Sequence, residues 1–440
     1  LADPNAVWGM TQAAPELVHW LLKLGVKFNM SGYDDVDLRN FGGQKKKRTA
    51  FAQSDTGKQI MTAMIDAVRR KEASGMVERF SHHSFLTLRL CGNICCGCVI
   101  RDEYSQETVE LPGDAVIVAT GGMHGLFGNT TGSLSNTGEV TAELFRLGVP
   151  LANGEMIQYH PTTVKCGGKR MLISEAARGE GGRLFAMKDG KQWYFMEEKY
   201  PELGNLMPRD ITAREIWKVS HESEVFLDMT EISEEIISNK LSGLADDCMT
   251  YLHKDIRKEP VSVLPGIHYF MGGILVDEQH RTPIQNLYAA GECCAQYHGA
   301  NRLGGNSLLG ALYGGRVAAK SACEQADVVD LSCATQIDFP PASQISEIKQ
   351  LNKVMQETMG VVRNENTLLN GIQTVQALTG NLPLLGMAVL KSALARKESR
   401  GAHWREDYPK SNDDDYLKTT VARFDGKQIQ ISFVPVPERR

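Results

Sequence analysis

Five short segments of the 440-residue chain gather side chains that can grip or protonate a small anion. The densest is His298-Gly-Ala-Asn-Arg-Leu-Gly-Gly-Asn-Ser-Leu308, which sets an arginine, two asparagines, a serine and a histidine among glycines. A run so polar and so flexible makes a poor core and a good ligand-contacting loop, and Arg302 within it can clamp a carboxylate through two parallel hydrogen bonds. Gln158-Tyr-His-Pro-Thr162 and Ser174-Glu-Ala-Ala-Arg-Gly-Glu-Gly-Gly182 are polar clusters close together in the chain. Glu175 and Arg178, three apart, meet on one helical turn. Taken alone, such a pair is more often a surface ion pair of little weight. Met207-Pro-Arg-Asp-Ile-Thr-Ala-Arg214 reads as a helix start, with Arg209 either solvated or turned toward a site. Gly266-Ile-His-Tyr-Phe-Met-Gly-Gly273 puts His268 among apolar residues, where a histidine is ordinarily a hydrogen-bonded core residue.

The elements that must position these groups read as α/β. Asp114-Ala-Val-Ile-Val-Ala-Thr-Gly-Gly122 is an apolar run ending in a glycine turn, which predicts a parallel-type strand covered on both faces. Asn286-Leu-Tyr-Ala-Ala-Gly-Glu292 repeats the theme. Glycine after a strand lets backbone approach a phosphate or ring, and the next helix favours negative charge at its start; a plain strand-to-helix turn has the same pattern. Residues 11–24 carry apolar positions at helical spacing and stop at Gly25. Asp55-Thr-Gly57 gives a second helix, over 58–71, a capping-type start. Residues 80–112 read as a β-meander. Within it Cys91-Gly-Asn-Ile-Cys-Cys-Gly-Cys98 is strand, Gly-Asn turn and strand rather than a metal cluster, since no second Cys or His group stands at a ligand spacing. Residues 153–262 mix strands, helices and polar loops. A linker ends at Pro340-Pro341, 344–397 reads as helical, and 401–440 is polar with Asn412-Asp-Asp-Asp415 as a solvated acidic turn.

Composition bounds the function. Forty-eight Lys+Arg against 53 Asp+Glu give a net charge of −5, so there is no bulk electrostatic case for nucleic acid or an anionic membrane. The 42% hydrophobic and 23% charged content is that of a globular protein, and the length predicts two or three domains. The best apolar run, near residues 384–390, falls well short of a membrane span. Ten cysteines in two adjacent pairs and one tight cluster do not make an even disulfide framework and predict a reducing compartment. Leu1-Ala-Asp-Pro-Asn5 has neither the basic nor the apolar region of a secretion signal, and a start at leucine predicts a fragment or a processed chain.

Taken together and in order, these segments resemble the flavoprotein subunit family of fumarate reductase, succinate dehydrogenase and L-aspartate oxidase. The matching runs are Ala119-Thr-Gly-Gly122, Gln158-Tyr-His-Pro-Thr162, Ser174 to Gly182, Pro208-Arg-Asp-Ile-Thr-Ala-Arg214, His268-Tyr-Phe-Met-Gly-Gly273, Tyr288-Ala-Ala-Gly-Glu292, the His298 to Leu308 loop and Arg396-Lys-Glu-Ser-Arg-Gly-Ala-His403. The resemblance implies an α/β (α+β) fold. It comprises an interrupted Rossmann-like FAD-binding domain (1–152 and 263–325), an inserted capping domain (153–262), a C-terminal helical domain (335–400) and a tail (401–440). It also implies FAD as cofactor and hydride transfer between flavin N5 and a carbon of a C4-dicarboxylate. His160, His268 and Arg302 are then the carboxylate clamps, helped by Ser174 and Thr162, with Gln158 at the outer end of a proton path. Arg209 takes the position of the family's general acid, with Glu175 and Arg178 as its proton relay. Glu292, Asn306, Ser307 and Leu308 resemble flavin contacts, and Thr120, Gly121 and Gly122 contacts further along the cofactor. Asp55-Thr-Gly57 matches a segment near the flavin.

The family opens with a βαβ unit whose Gly-x-Gly-x-x-Gly holds the FAD pyrophosphate. That spacing does not occur here, and Gly122-x-x-Gly125-x-x-Gly128 does not supply it. The resemblance therefore places that unit, with any histidine that would attach the flavin covalently, before residue 1. L-aspartate oxidase is the alternative, favoured by Leu172-Ile-Ser-Glu-Ala176 and Pro208-Arg-Asp210. Gly304-Gly305 and Met271-Gly-Gly273 favour the fumarate reductase and succinate dehydrogenase side. A reading of another class is a truncated, FAD-poor and inactive fragment. Partners implied are a small dicarboxylate and an iron–sulfur subunit or other electron donor. The implied location is cytoplasmic, at the inner face of a membrane through partner subunits. Lys45-Lys-Lys-Arg48 reads as a solvated basic loop before it reads as a partner face.

Overall fold

The computed structural model describes the chain apart from residues 34, 43, 45, 327–338, 340–343 and 440. The end of the linker at Pro340-Pro341 and Lys45 of the basic run lie outside the described residues. The first helix, Pro4–Leu24, begins earlier than its apolar spacing predicts. Asp3 accepts the N–H groups of Asn5 and Ala6 at 2.9 and 3.2 Å, and Pro4 takes a position where a missing N–H costs nothing. Gly25 ends the helix in the left-handed conformation, φ 99°. The second helix is Thr56–Ala73. Asp55 stands at its cap position but makes no capping bond, because its backbone (φ −112°, ψ 22°) is not the extended conformation that aims a cap side chain. Thr56 Oγ1 instead accepts the N–H of Ala52 at 3.0 Å.

His83–Cys91, Ile94–Asp102 and Thr108–Pro112 form the expected antiparallel meander, turning at Gly92-Asn93. Cys95 and Cys96 are buried in it as small apolar residues. Eight described cysteines are free, whereas Cys91 is disulfide-bonded, which the cysteine pattern did not predict. The apolar run at 114–122 shortens to a strand, Val116–Val118, paired in parallel with Leu287–Ala289. It is covered on one face only. Val118 points into the core while Ile117, on the alternate face of this two-stranded sheet, is 41% exposed.

Two large hydrophobic cores flank the sheet that matters most. The first gathers the helices Ile345–Thr358, Glu365–Val375 and Asn381–Ala395 around Leu351, Leu368, Leu385 and Leu390. The second packs the four-stranded sheet of Lys191–Trp193, Arg183–Lys188, Val225–Asp228 and Val261–Ser262 against the helices Arg209–Val219 and Ser242–Leu252. The antiparallel sheet Leu264–Phe270, Ile157–Cys166, Lys169–Leu172 belongs to both. It gives Ile157, Ile267 and Phe270 to the first core, and Val164 and Met171 to the second.

Residues 418–435 are not a polar tail but a hairpin, Lys418–Phe424 with Ile429–Pro435, joined to Leu151–Ala152 in a five-stranded sheet. Their polar composition hid it; only Val421, Ala422 and Thr420 go fully inside. Arg396 anchors this corner, donating to Glu155, Glu398 and Thr420 at 2.7 Å each with no exposure of its own. The acidic stretch at 412–415 is a one-turn helix, Asp413–Tyr416, capped by Asn412. Among the described residues no helix is long and apolar enough to cross a membrane.

Candidate active site

Strand geometry starts the site. Side chains two apart share a face, so Gln158, His160 and Thr162 of Ile157–Cys166 point the same way, and all three are fully buried. The partner strand Leu264–Phe270 slips register between Ile267 and Tyr269, a bulge at His268. There the His160 and His268 rings meet edge to face, 5.1 Å between centroids. Thr131 Oγ1 holds His268 Nδ1 at 2.8 Å, and the Thr162 backbone lies against His160 Nδ1 at 3.1 to 3.2 Å. Burial, and then for His160 the charge of Arg209, holds both imidazoles well below the usual histidine range, so they are neutral. His160 Nε2 has no partner.

The short helix Glu175–Gly179 and the helix Arg209–Val219 bring the charged groups. Ser174 Oγ accepts the N–H of Ala176 at 3.2 Å, so this hydroxyl caps the helix. Thr162 Oγ1 donates to the carbonyl of Ile173, tying strand to helix. Arg178 donates to Glu175 Oε1 at 3.1 Å and to the carbonyl of Asn205 at 2.6 Å. Arg209, first residue of its helix, gives Nε and Nη2 to Glu175 Oε2 at 3.0 and 2.6 Å and Nη1 to Gln158 Oε1 at 3.1 Å. The N–H of Gly42 completes the set on Glu175 Oε1 at 3.1 Å. A Cβ at Gly42 would run into Glu175 Oε1, and one at Gly304 would lie 2.6 Å from Phe41 Cβ and 2.8 Å from Glu175 Oε2, so either would displace the carboxylate. Burial pushes the Glu175 carboxyl up, but Arg209 and Arg178 together pull it down to about 2. The Glu175–Arg178 pair is thus no surface ion pair; its side chains are 1% and 0% exposed.

Arg302 lies buried with its guanidinium 4.5 Å from the Tyr269 ring centroid. Burial, then the Arg209 charge, lowers it to about 9, still a cation at neutral pH. Its Nε has no partner. Three guanidinium groups, those of Arg178, Arg209 and Arg302, act on Glu175, and Glu292 is the other carboxylate that acts on Arg302, so one positive charge is left over. An excess of buried charge with unpartnered donors is costly unless an anion enters.

The other predicted residues form a second group. Glu292 Oε1 accepts the N–H of Phe270 at 3.0 Å, the residue two after His268, which joins it to the strand Leu264–Phe270. A Cβ at Gly122 would lie 2.7 Å from that same oxygen, and Gly121 is left-handed (φ 72°) against Asn136. His124, which no sequence signal marked, sits 3.6 Å from Glu292 and edge-on to Phe270. Asn306, Ser307 and Leu308 open the helix Asn306–Gln325 after Gly305 (φ 84°), with no side chain capping its first N–H groups. Asn306 and Leu308 line a cavity of about 590 Å³ with Thr49, Thr56, Leu17 and Leu21. A positive helix end beside an apolar hollow fits a flat aromatic ring of low electron density. Asp55 faces Gly243 instead, although its neighbour Thr56 reaches the cavity.

Residues 1–308 match the family model described as FAD binding domain, and residues 378–439 match the fumarate reductase flavoprotein C-terminal model. The chain is 35% identical to the succinate dehydrogenase flavoprotein subunit of Bacillus subtilis, covering 100% of this chain and 86% of that one. It is 32% identical to the L-aspartate oxidase of Pyrococcus furiosus, over 94% of this chain and 82% of that one. The structure superposes on that of E. coli quinol fumarate reductase with a TM-score of 0.89 at 26% identity, covering 99% and 84% of the two chains. FAD is the cofactor these matches imply. The uncapped helix end, the cavity and the close packing at Gly122 fit its ring end, while the sequence carries no Gly-x-Gly-x-x-Gly for its pyrophosphate. By fold, sequence and site geometry alike, the chain belongs to the FAD-dependent flavoprotein family of succinate dehydrogenase, fumarate reductase and L-aspartate oxidase.

Proposed function

We propose that the chain interconverts a C4-dicarboxylate pair of the fumarate and succinate type, with Arg209 as the proton donor in the reducing direction. The observation that carries this is the charge excess of the buried cluster, beside two partnerless nitrogens, His160 Nε2 and Arg302 Nε. A small dianion supplies both the missing charge and the missing acceptors. His160 and His268, being neutral, contact a carboxylate without adding charge, and Arg302 provides the cation. FAD, when bound, supplies hydride chemistry at its N5.

Arginine is a weak acid, ordinarily above 12, so it serves as a donor only if the lost proton is replaced at once. Glu175 bridges Arg209 and Arg178 through its two oxygens and supports that replacement. In this reading 153–262 is the cap that carries Glu175 and Arg209, 1–152 and 263–325 form the flavin-binding part, and 335–400 is the helical part. Thr120 and Gly121 contact the cofactor, and an iron–sulfur subunit or another protein exchanges electrons with it.

The test is turnover by flavin-loaded protein of fumarate with a reduced dye, of succinate with an oxidised dye, and of L-aspartate. Turnover of L-aspartate alone replaces the reading with L-aspartate oxidase, and a protein that retains no flavin replaces it with the inactive fragment. Arg209→Ala is expected to abolish reduction of fumarate with flavin retained; undiminished turnover removes Arg209 as the donor.

A further inference from the structure

Arg209 is held from a second side, away from Glu175. Gln158 Oε1 accepts from Arg209 Nη1 at 3.1 Å, and Gln158 Nε2 donates to Asn301 Oδ1 at 2.9 Å and to the carbonyl of Arg302 at 2.7 Å. Asn301 Nδ2 in turn donates to Asp210 Oδ1 at 2.7 Å. The bonds form a closed loop, since Asp210 follows Arg209 in the chain. Its two ends have opposite chemistry. A carboxylate only accepts and a guanidinium only donates, whereas each amide between them can face either way. The Asp210 end forces the Asn301 NH₂ toward itself, which leaves Asn301 Oδ1 facing Gln158. That oxygen claims the Gln158 NH₂ and leaves Gln158 Oε1 for Arg209. With either amide reversed, two donors or two acceptors would face each other in a buried site. The same Gln158 amide touches both Arg209 and the backbone of Arg302, and so fixes the proposed acid relative to the proposed clamp.

We propose that Asp210 and Asn301 are positioning residues for the reaction: their hydrogen-bond polarity sets the orientation of the Gln158 amide, which aims and restrains Arg209. The inference rests on the reading of Arg209 as proton donor. Asp210 is half-buried at the first turn of Arg209–Val219; Arg214 one turn on, Tyr200 and its own helix N–H groups are the other charged or polar groups that face it.

Asn301→Asp tests this with no change of size. It sets two carboxylates against each other where an N–H now bridges, and such a pair keeps one proton to a raised pKa. Below that pKa the shared proton restores the donor; above it the two carboxylates repel, the link to Asp210 opens and residue 301 is no longer held in place against Gln158. Fumarate reduction by this variant is expected to fall about 10- to 100-fold in kcat at mildly alkaline pH, with a smaller change in KM, and to recover as pH is lowered. The double variant Asn301→Asp, Asp210→Asn exchanges amide and carboxylate, restores an unbroken donor-to-acceptor order, and is expected to regain the wild-type pH profile. Melting temperatures of the three proteins across the same pH range read the loop without turnover. The single variant is expected to be depressed at alkaline pH only, and the double variant is not. A single variant with the wild-type pH profile, or a double variant no better than the single, overturns the inference. If wild-type protein turns over no dicarboxylate while the melting pattern holds, the functional reading fails and the polarity loop stands.

Discussion

Replacing Glu175 by Gln mimics the protonated acid at nearly constant shape, so its cost follows from the pKa of the native carboxyl. The two arginines hold that carboxyl at about 2 even though it is fully buried. An unfolded glutamate titrates a little above 4, and the gap of roughly two units is worth about 3 kcal/mol. The sign is that of a depressed acid: the contribution is complete above the unfolded value and declines as pH falls toward the native one. Wild type is therefore expected to exceed Glu175→Gln by about 3 kcal/mol at neutral pH, within the range for breaking a buried ion pair. Near pH 3 about half of that advantage is expected to remain. Urea unfolding of both proteins at the two pH values measures the difference. Any fixed penalty from the glutamine amide cancels in the comparison, which isolates the ionic part. A difference under about 1 kcal/mol, or one that does not change with pH, would refute the claim that Arg178 and Arg209 hold Glu175 ionised.

Gly272→Ala is expected to cost about 1–3 kcal/mol, because its Cβ would run into the Asn153 carbonyl, and a wild-type melting temperature would show that the strands can part there. Leu385→Ala, at a fully buried position of Asn381–Ala395, is expected to cost about 2–5 kcal/mol in denaturant unfolding; a loss below about 1 kcal/mol would mean that this core closes over the gap.

Much of the fold was legible because local signals were strong. The Gly92-Asn93 turn between alternating runs gave the meander, and Gly25 gave the end of the first helix. Elements that depend on partners far along the chain were harder to read. The hairpin at 418–435 takes its register from Leu151–Ala152, more than 260 residues earlier, and its own composition is polar. The strand at 116–118 looked as if it were covered on both faces, but apolar content does not say whether a second layer lies above Ile117.

The sequence by itself determined the kind of chemistry and the segments that carry it. The 298–308 loop with Arg302 reads as a poor core on its own, whereas Gln158, His160, Glu175, Arg178, Arg209 and His268 gain a role only through the resemblance of their ordered segments to one family. The tertiary structure decided what each does to the next. Glu175 and Arg178 form a buried pair because Arg209, 34 positions away, arrives at the same carboxylate. Gln158 acquires an orientation because Asn301, 143 positions on, accepts its N–H. Ser174 caps a helix, and Asp210 and Asn301, 91 positions apart, become partners only in the folded chain. Hydrogen-bond direction and desolvation belong to the space between segments, and no spacing along one chain encodes them.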